Sequence, residues 1–406
     1  MNWKLYTIII MLQILSAFAM FSYIPMLVPI AEELNLNSKQ IGMVALANSI
    51  GGMIFGVYAG LLVDRLHTRF MILLGPGVIT LSLFVFSISS TFPLILLANF
   101  LLGIGYTIIL PLTSRLIAFY FSSKQMGMLL SLKQSGSTIG QAMGGFLLPI
   151  IILTFSWRFS LHLLTVMMIA VLLFYFLFFF SKDTHRAKSK SEKMLKEKKK
   201  RTFDNIKIPR DTIFLLVLGF SMLGYQATFA TFLIPYLSEQ KEVNYAFAGA
   251  MLGGSQLVGA FSRPLLGWLS DTVFKGSRKK VLLICGLGNI FLTLILIYLP
   301  SSYIILTVVV LFLLGITAFG WAGVYFAYIV EIIGKEKSGL ATGYGLMANS
   351  MGAAVNPLFF GAIVDYTSYE VAFVANTIFL LIMVGLLQVK LKEPAILLRK
   401  ERISSL

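Results

Sequence analysis

The sequence predicts an all-α membrane protein of twelve transmembrane helices in two pseudo-symmetric six-helix bundles, and three observations carry that expectation. Of 406 residues, 58% are hydrophobic and only 12% charged, with 34 Phe and a mean hydropathy of +0.87, a balance that no water-exposed surface sustains. Twelve apolar runs are each long enough to cross a bilayer core, which takes about 20 helical residues. The second half also echoes the first. Phe100-Leu101-Leu102-Gly103-Ile104-Gly105 returns as Phe312-Leu313-Leu314-Gly315-Ile316-Thr317 at an offset of 212, which also sets Gly140 on Gly352 and Trp157 on Tyr369.

The spans fall near 5–31, 39–62, 70–90, 93–120, 125–153 and 158–181, then 212–237, 244–270, 280–299, 302–332, 338–364 and 369–391. The first follows Met1-Asn2-Trp3-Lys4, is longer than the apolar core of a cleavable signal and lacks a small-residue cleavage site, so it is read as a span. The second and third flank a charged turn, Gly60-Leu61-Leu62-Val63-Asp64-Arg65-Leu66-His67-Thr68-Arg69. The fourth carries Arg115 beyond its glycines. The fifth carries Lys133-Gln134-Ser135-Gly136, and its glycines 136, 140 and 144 stand at helical spacing before Pro149, a face suited to close packing. After the sixth comes the only long hydrophilic stretch, 182–211, with Lys196-Glu197-Lys198-Lys199-Lys200-Arg201; it is expected to be a linker lying near anionic headgroups. The halves are therefore 1–181 and 212–406, the second ending in a short basic tail. In that half the eighth span carries Arg263 and ends in Gly267-Trp268-Leu269-Ser270-Asp271, and the basic cluster Arg278-Lys279-Lys280 opens the ninth. An offset of 207 sets Gly60 on Gly267 and Asp64 on Asp271.

A net charge of +16 would suggest nucleic acid for a soluble protein, but here Lys and Arg concentrate between spans and orient them. With alternate loops inside, the inner segments hold nearly all of them and the outer loops only Lys39, Arg158 and Lys241, so both termini are expected in the cytoplasm. The single Cys285 lies in an apolar run, which leaves no disulfide framework and no metal constellation. No catalytic group of residues emerges, and neither a cofactor nor enzymatic activity is expected.

Charges inside a bilayer are expensive and usually functional. Three cations qualify, Arg115, Lys133 and Arg263, whereas each of the seventeen acids falls at a span edge or in a loop. Cations without interior carboxylates call for a wet cavity and a mobile anion, which would be the substrate. Lys133 and Arg263 would bind its charged group and Arg115 add positive potential. Arg115 and Arg263 could also snorkel to the interface or tie down charged loops. Tyr23, Tyr225, Gln226, Trp321, Tyr325 and Asn349 are candidates for the rest of the substrate, although Tyr and Trp also serve as interfacial anchors.

The glycine, three residues, aspartate and basic residues of the 60–69 turn, its degenerate copy at 267–271, the twelve spans, the basic central segment and the repeat resemble the major facilitator superfamily over essentially the whole chain. That resemblance implies the major facilitator fold, with a cavity lined by spans 1, 2, 4, 5, 7, 8, 10 and 11, and all three interior cations lie on those spans. It also implies a conformational latch of Gly60, Asp64, Arg65 and Arg69, with Asp271 in the other half. The chain departs from the family pattern at Asn99, where an arginine commonly precedes the Gly-x-Gly of span four, so Arg115 is not that arginine. Ser262-Arg263-Pro264-Leu265-Leu266-Gly267 is similar to span eight of the oxalate/formate antiporters and monocarboxylate porters, which implies a carboxylate-binding role for Arg263. Those antiporters place a lysine on span eleven; here span eleven has Asn349 and Asn356, and Lys133 occupies the symmetry-related span five. Lys133-Gln134-Ser135-Gly136, with Leu148-Pro149 and Ser156-Trp157-Arg158, resembles cyanate and 2-nitroimidazole permeases.

The expectation is a monomeric, lipid-embedded, alternating-access transporter of a small organic anion, a carboxylate above all, in a bacterial cytoplasmic (inner) membrane. Protons or a counter-anion would accompany the substrate. The alternative is efflux of drugs or other hydrophobic compounds, favoured by the many Phe and Met and opposed by the lack of an interior acid. A non-transporting membrane sensor would have no need of loop motifs in both halves.

Overall fold

The computed structural model describes residues 3–65, 68–120, 123–180, 210–333 and 338–391. The described residues are almost wholly helical. The first half contains α1 (Trp3–Met20), α2 (Tyr23–Leu34), α3 (Ser38–Arg65), α4 (Thr68–Ser87), α5 (Phe92–Tyr120), α6 (Ser123–Thr154) and α7 (Trp157–Phe180). The second contains α8 (Arg210–Gln240), α9 (Tyr245–Asp271), α10 (Arg278–Tyr298), α11 (Ile304–Gly320), α12 (Ala322–Ile333), α13 (Ser338–Tyr366) and α14 (Tyr369–Lys390). Helix α8 thus starts at Arg210, inside the stretch expected to be linker.

Twelve spans arise from these helices because α1 with α2 forms the first and α11 with α12 the tenth. Neither break was anticipated. At the first, Ser22 Oγ donates to Ala19 O at 2.7 Å and Ile24 N turns to Phe21 O at 3.3 Å, while Pro25 has no N–H to offer. At the second, the Trp321 indole N–H takes Ala318 O at 3.0 Å and Arg263 Nε takes Phe319 O at 3.0 Å. In a continuous helix those carbonyls would accept from the backbone of Ala322 and Gly323.

Ten continuous stretches of the described residues are long and apolar enough to cross a membrane. The remaining two spans are α3 and α9, of 28 and 27 residues, or roughly 40 Å at about 1.5 Å per residue, long enough to cross. They hold equivalent places in the two halves. Helix α3 packs between α5 and α13, and α9 packs between α11 and α6, so their glycine-rich faces meet helices instead of lipid.

Both sequence offsets describe the same contact. Gly103 seats on the Asn48 carbonyl and Gly315 on the Ser255 carbonyl, so the 212 register of α5 and α11 and the 207 register of α3 and α9 meet at one pseudo-symmetric crossing.

The two halves join along two further seams, α3 against α13 and α6 against α9. A Cβ on Gly42 would stand 2.5 Å from Pro357 O, and one on Gly249 would stand 2.8 Å from Gly145 O. These positions are exchanged copies, because Gly42 maps on Gly249 by the 207 offset and Gly145 on Pro357 by the 212 offset. Both contacts lie toward the face opposite the termini. There the Asp365 carboxylate of one half accepts from Ser38 N at 2.7 Å and Lys39 N at 2.9 Å at the start of α3 in the other. Asn37 and Gln40 complete that helix start by a reciprocal capping box, each bond 2.9 Å. The Tyr245 hydroxyl donates to Pro25 O across the same face.

Asp365 is therefore a charged cap lent by one half to a helix of the other, favoured by the positive end of the α3 dipole. Asp365→Asn keeps a hydrogen-bonding oxygen and loses the charge, which should shift the equilibrium away from closure at this face by roughly tenfold, about 1.4 kcal/mol. Spin labels at the exposed Ser90 and Ser301, read by double electron–electron resonance, should show a larger long-distance population in the variant. An unchanged distribution would mean that Asp365 is not a closing contact.

Candidate substrate-binding site

Lys133, on α6, is buried with 5% of its surface exposed. Its Nζ donates to Leu110 O at 2.9 Å and Ser114 Oγ at 2.7 Å on α5, and Ser114 Oγ in turn donates to Leu110 O at 2.9 Å. The amine is thus held by its own half and does not face lipid. Arg115 follows Ser114 on α5 and is half-buried.

Arg263 on α9 joins the halves. Because α11 ends at Gly320, the Phe319 carbonyl is available to its Nε, and the guanidinium lies at the negative end of the α11 dipole. Its Nη1 reaches Gln134 O at 3.4 Å, the carbonyl of the residue after Lys133. Arg263 thus crosses from the second half to the backbone of the residue next to Lys133 in the first. Among the described residues neither cation forms an ion pair with a carboxylate; both rest on backbone carbonyls and a hydroxyl, which carry partial charge only. The described acids explain why. Glu32, Glu33, Glu239, Asp271, Glu331, Asp365 and Glu370 each stand within two residues of a helix end, and Glu242 is in a loop.

Four of the other expected residues come together in the second half. Trp321 donates to Gln226 Oε1 at 3.2 Å and packs edge-on to Tyr325 with ring centroids 5.2 Å apart. The Asn349 amide, with its nitrogen turned to acceptors, lies 3.2 Å from the Tyr325 hydroxyl and 3.1 Å from both Gly219 O and Gly345 O. This network ties α8, α12 and α13 to the break in span ten. Tyr23 is buried and hydrogen-bonds Thr231 of α8, a further link between halves. Tyr225 is not brought to this group: its hydroxyl pairs with Thr293 on α10, whereas its neighbour Gln226 pairs with Trp321.

Of the expected latch, the side chains of Gly60, Asp64, Arg65 and Arg69 lie outside the described residues. Asp271 is engaged within its own half, not across the halves. Arg278 Nη1 lies 2.5 Å from Asp271 and 2.9 Å from Ser270 Oγ, while its Nε lies 3.2 Å from Glu331. One arginine thereby binds the ends of α9, α10 and α12 together, and Arg263 keeps clear of Asp271.

Reasoning from charge alone passed over a polar cluster in the first half. Gln13 Nε2 donates to the Tyr106 hydroxyl at 3.0 Å, Thr113 Oγ1 donates to Gln13 Oε1 at 3.0 Å, and Tyr106 and Ser137 hydroxyls are 2.5 Å apart. Arg263 exerts its field on Tyr106. The signal was an amide, Gln13, in the apolar first span; a census of uncharged polar residues would have found it.

The profile of the Major Facilitator Superfamily matches residues 9–344 and 215–404. Similar relatives include the hexuronate transporter of Bacillus subtilis (strain 168), 23% identical over 83% of this chain and 82% of that protein. The fosmidomycin resistance protein of Escherichia coli (strain K12) is 26% identical over 84% of this chain and 82% of its own length. Among solved structures, a bacterial homologue of the human lysosomal transporter Spinster superposes with a TM-score of 0.74 at 15% identity, covering 95% of each chain. With a profile match across nearly the whole chain, twelve spans in the matching fold and no enzyme among these relatives, the chain belongs to the major facilitator superfamily and is a membrane transporter.

Proposed function

We propose that the protein carries a small organic anion, a carboxylate, across a bacterial cytoplasmic membrane by alternating access, with both termini in the cytoplasm. One observation supports this reading: Arg263 of the second half reaches the carbonyl of Gln134, the residue next to the buried Lys133 of the first, and both cations have carbonyls and a hydroxyl as their partners while the described acids stand at helix ends or in loops. Two cations so placed repel one another, and an anion that bridges them relieves the repulsion and favours approach of the halves. Arg115 adds positive potential beside Ser114. Gln226, Trp321, Tyr325 and Asn349 form a wall for the remainder of the substrate, and Tyr23 contributes from the first half. Gly60, Asp64, Arg65 and Arg69 act as the latch on the cytoplasmic face. The hexuronate transporter among the relatives is consistent with an anionic substrate.

With the described acids at helix ends or in a loop, no interior carboxylate among the described residues carries a proton, and coupling falls to a proton on the substrate or to exchange of anions. Purified protein should gain thermal stability from mono- or dicarboxylates in proportion to RT ln(1 + [L]/Kd), and liposomes preloaded with the stabilising acid should take up its labelled form faster than empty ones. The fosmidomycin resistance protein favours a second reading, export of drugs. Stabilisation by hydrophobic drugs with none by any carboxylate would put that reading first.

A further inference from the structure

We infer that Tyr106 and Ser137, positioned by Gln13 and Thr113, form a hydroxyl rail beside the two cations that reads a hydroxyl group on the substrate, so that the transported carboxylate is a hydroxy acid. The inference rests on the anion reading and extends it to the part of the substrate next to the charge.

Four uncharged polar side chains from α1, α5 and α6 converge inside the membrane-spanning part of the first half, where polar groups are costly unless hydrogen-bonded. The set is pre-organised. Gln13 is held at both ends of its amide, by Thr113 and Tyr106, and is fully buried, so it has no freedom to follow a ligand. Tyr106 is fixed by Gln13 on one side and by Ser137, 2.5 Å away, on the other. Gln13 and Thr113 are therefore positioning residues. Tyr106 and Ser137 present the oxygens.

The internal bonds do not exhaust the cluster. Each hydroxyl offers one proton and two lone pairs, so the Tyr106–Ser137 bond leaves capacity on both oxygens, and Ser137 is only half-buried. Position then matters. Ser137 is one helical turn beyond Lys133 on α6, and Tyr106 is one turn before Leu110, the carbonyl that Lys133 holds, so both lie on the faces that carry the amine. Tyr106 also feels the charge of Arg263 from the other half. A carboxylate bridging the two cations sets its neighbouring carbon against this rail. A hydroxyl on that carbon can both donate and accept, and is satisfied whichever way the Tyr106–Ser137 bond runs; a methylene can do neither. Sites that hydrogen-bond a substrate hydroxyl discriminate strongly against the analogue lacking it.

The test is calorimetric titration of the purified full-length protein with three matched pairs: propionate and lactate, succinate and malate, hexanoate and gluconate. In at least one pair the hydroxy acid should bind about tenfold tighter or more, and Tyr106→Phe and Ser137→Ala should each collapse that ratio toward one. Both variants remove little volume, and their melting temperatures report whether the fold survives. Arg263→Lys should weaken both members of a pair and leave their ratio standing. Equal binding within every pair, or a ratio that persists in both hydroxyl variants, would overturn the rail and leave the anion reading intact. Absence of binding by all six acids would remove both.

Discussion

Valine at Gly42 and Gly249 together is expected to hold the protein open at the face opposite its termini and abolish transport. A Cβ on Gly42 would lie 2.5 Å from Pro357 O and 2.8 Å from Leu358 Cα, and one on Gly249 would lie 2.8 Å from Gly145 O. These obstacles include backbone, so a rotamer change cannot relieve them, and overpacking of this kind costs about 1–3 kcal/mol per site. The two seams involve different helix pairs, so their costs should add to about 2–6 kcal/mol, roughly thirtyfold to 10⁴-fold against closure. Labels at Ser90 and Ser301 should move to the longer distance, and substrate should still bind from the open side. Gly77→Val is the control, because nothing stands within 4 Å of its Cβ. Normal transport by the double variant would show that these seams do not close in the working cycle.

The second large effect belongs to Arg263. Its guanidinium spans Phe319 O and Gln134 O, which a lysine amine cannot do at both distances, so Arg263→Lys should weaken carboxylate binding by about 2–5 kcal/mol, roughly thirtyfold or more. Lys133→Arg should be nearly as damaging, because the buried amine bonds Leu110 O at 2.9 Å and Ser114 Oγ at 2.7 Å through a single nitrogen, and a planar guanidinium is larger than that point of attachment. Calorimetry on each variant measures both. Wild-type affinity in Arg263→Ala would take Arg263 out of the site.

The spans, their pairing and the two halves were legible in the sequence because lipid imposes a length and an apolar composition on every crossing, and because duplication left paired glycines such as Gly103 and Gly315 at equivalent crossings. The breaks at Ser22 and Trp321 were not. Each depends on side chains capturing carbonyls, one of them Arg263 arriving from another helix, and a pattern of hydropathy carries no record of such a bond. Among candidate site residues, charge singled out Lys133 and Arg263; the amine of Lys133 turns to Leu110 O and Ser114 Oγ, and Arg263 reaches across to the carbonyl of Gln134, the next residue in sequence. Aromatic identity alone could not separate Tyr325, which joins the Trp321 and Asn349 network, from Tyr225, whose hydroxyl turns to Thr293. Neighbouring positions on a helix differ by about 100° in direction, and only the packing of α8 against its neighbours, chiefly α13 and α14, decides which faces inward.

The placement of charge gives membrane voltage a part in the cycle. On the proposed anion reading, Lys133 and Arg263 stay with the protein at every turnover and the described acids stand at helix ends or in a loop, so the charge that passes through the electric field is the substrate's own. Each elementary charge crossing 100 mV is worth about 2.3 kcal/mol, close to fiftyfold in an equilibrium gradient. For a carrier built this way a lone anion flows downhill out of a negative interior and uphill into it, a substrate protonated on the way travels without regard to the potential, and one-for-one exchange of equally charged anions is electrically silent.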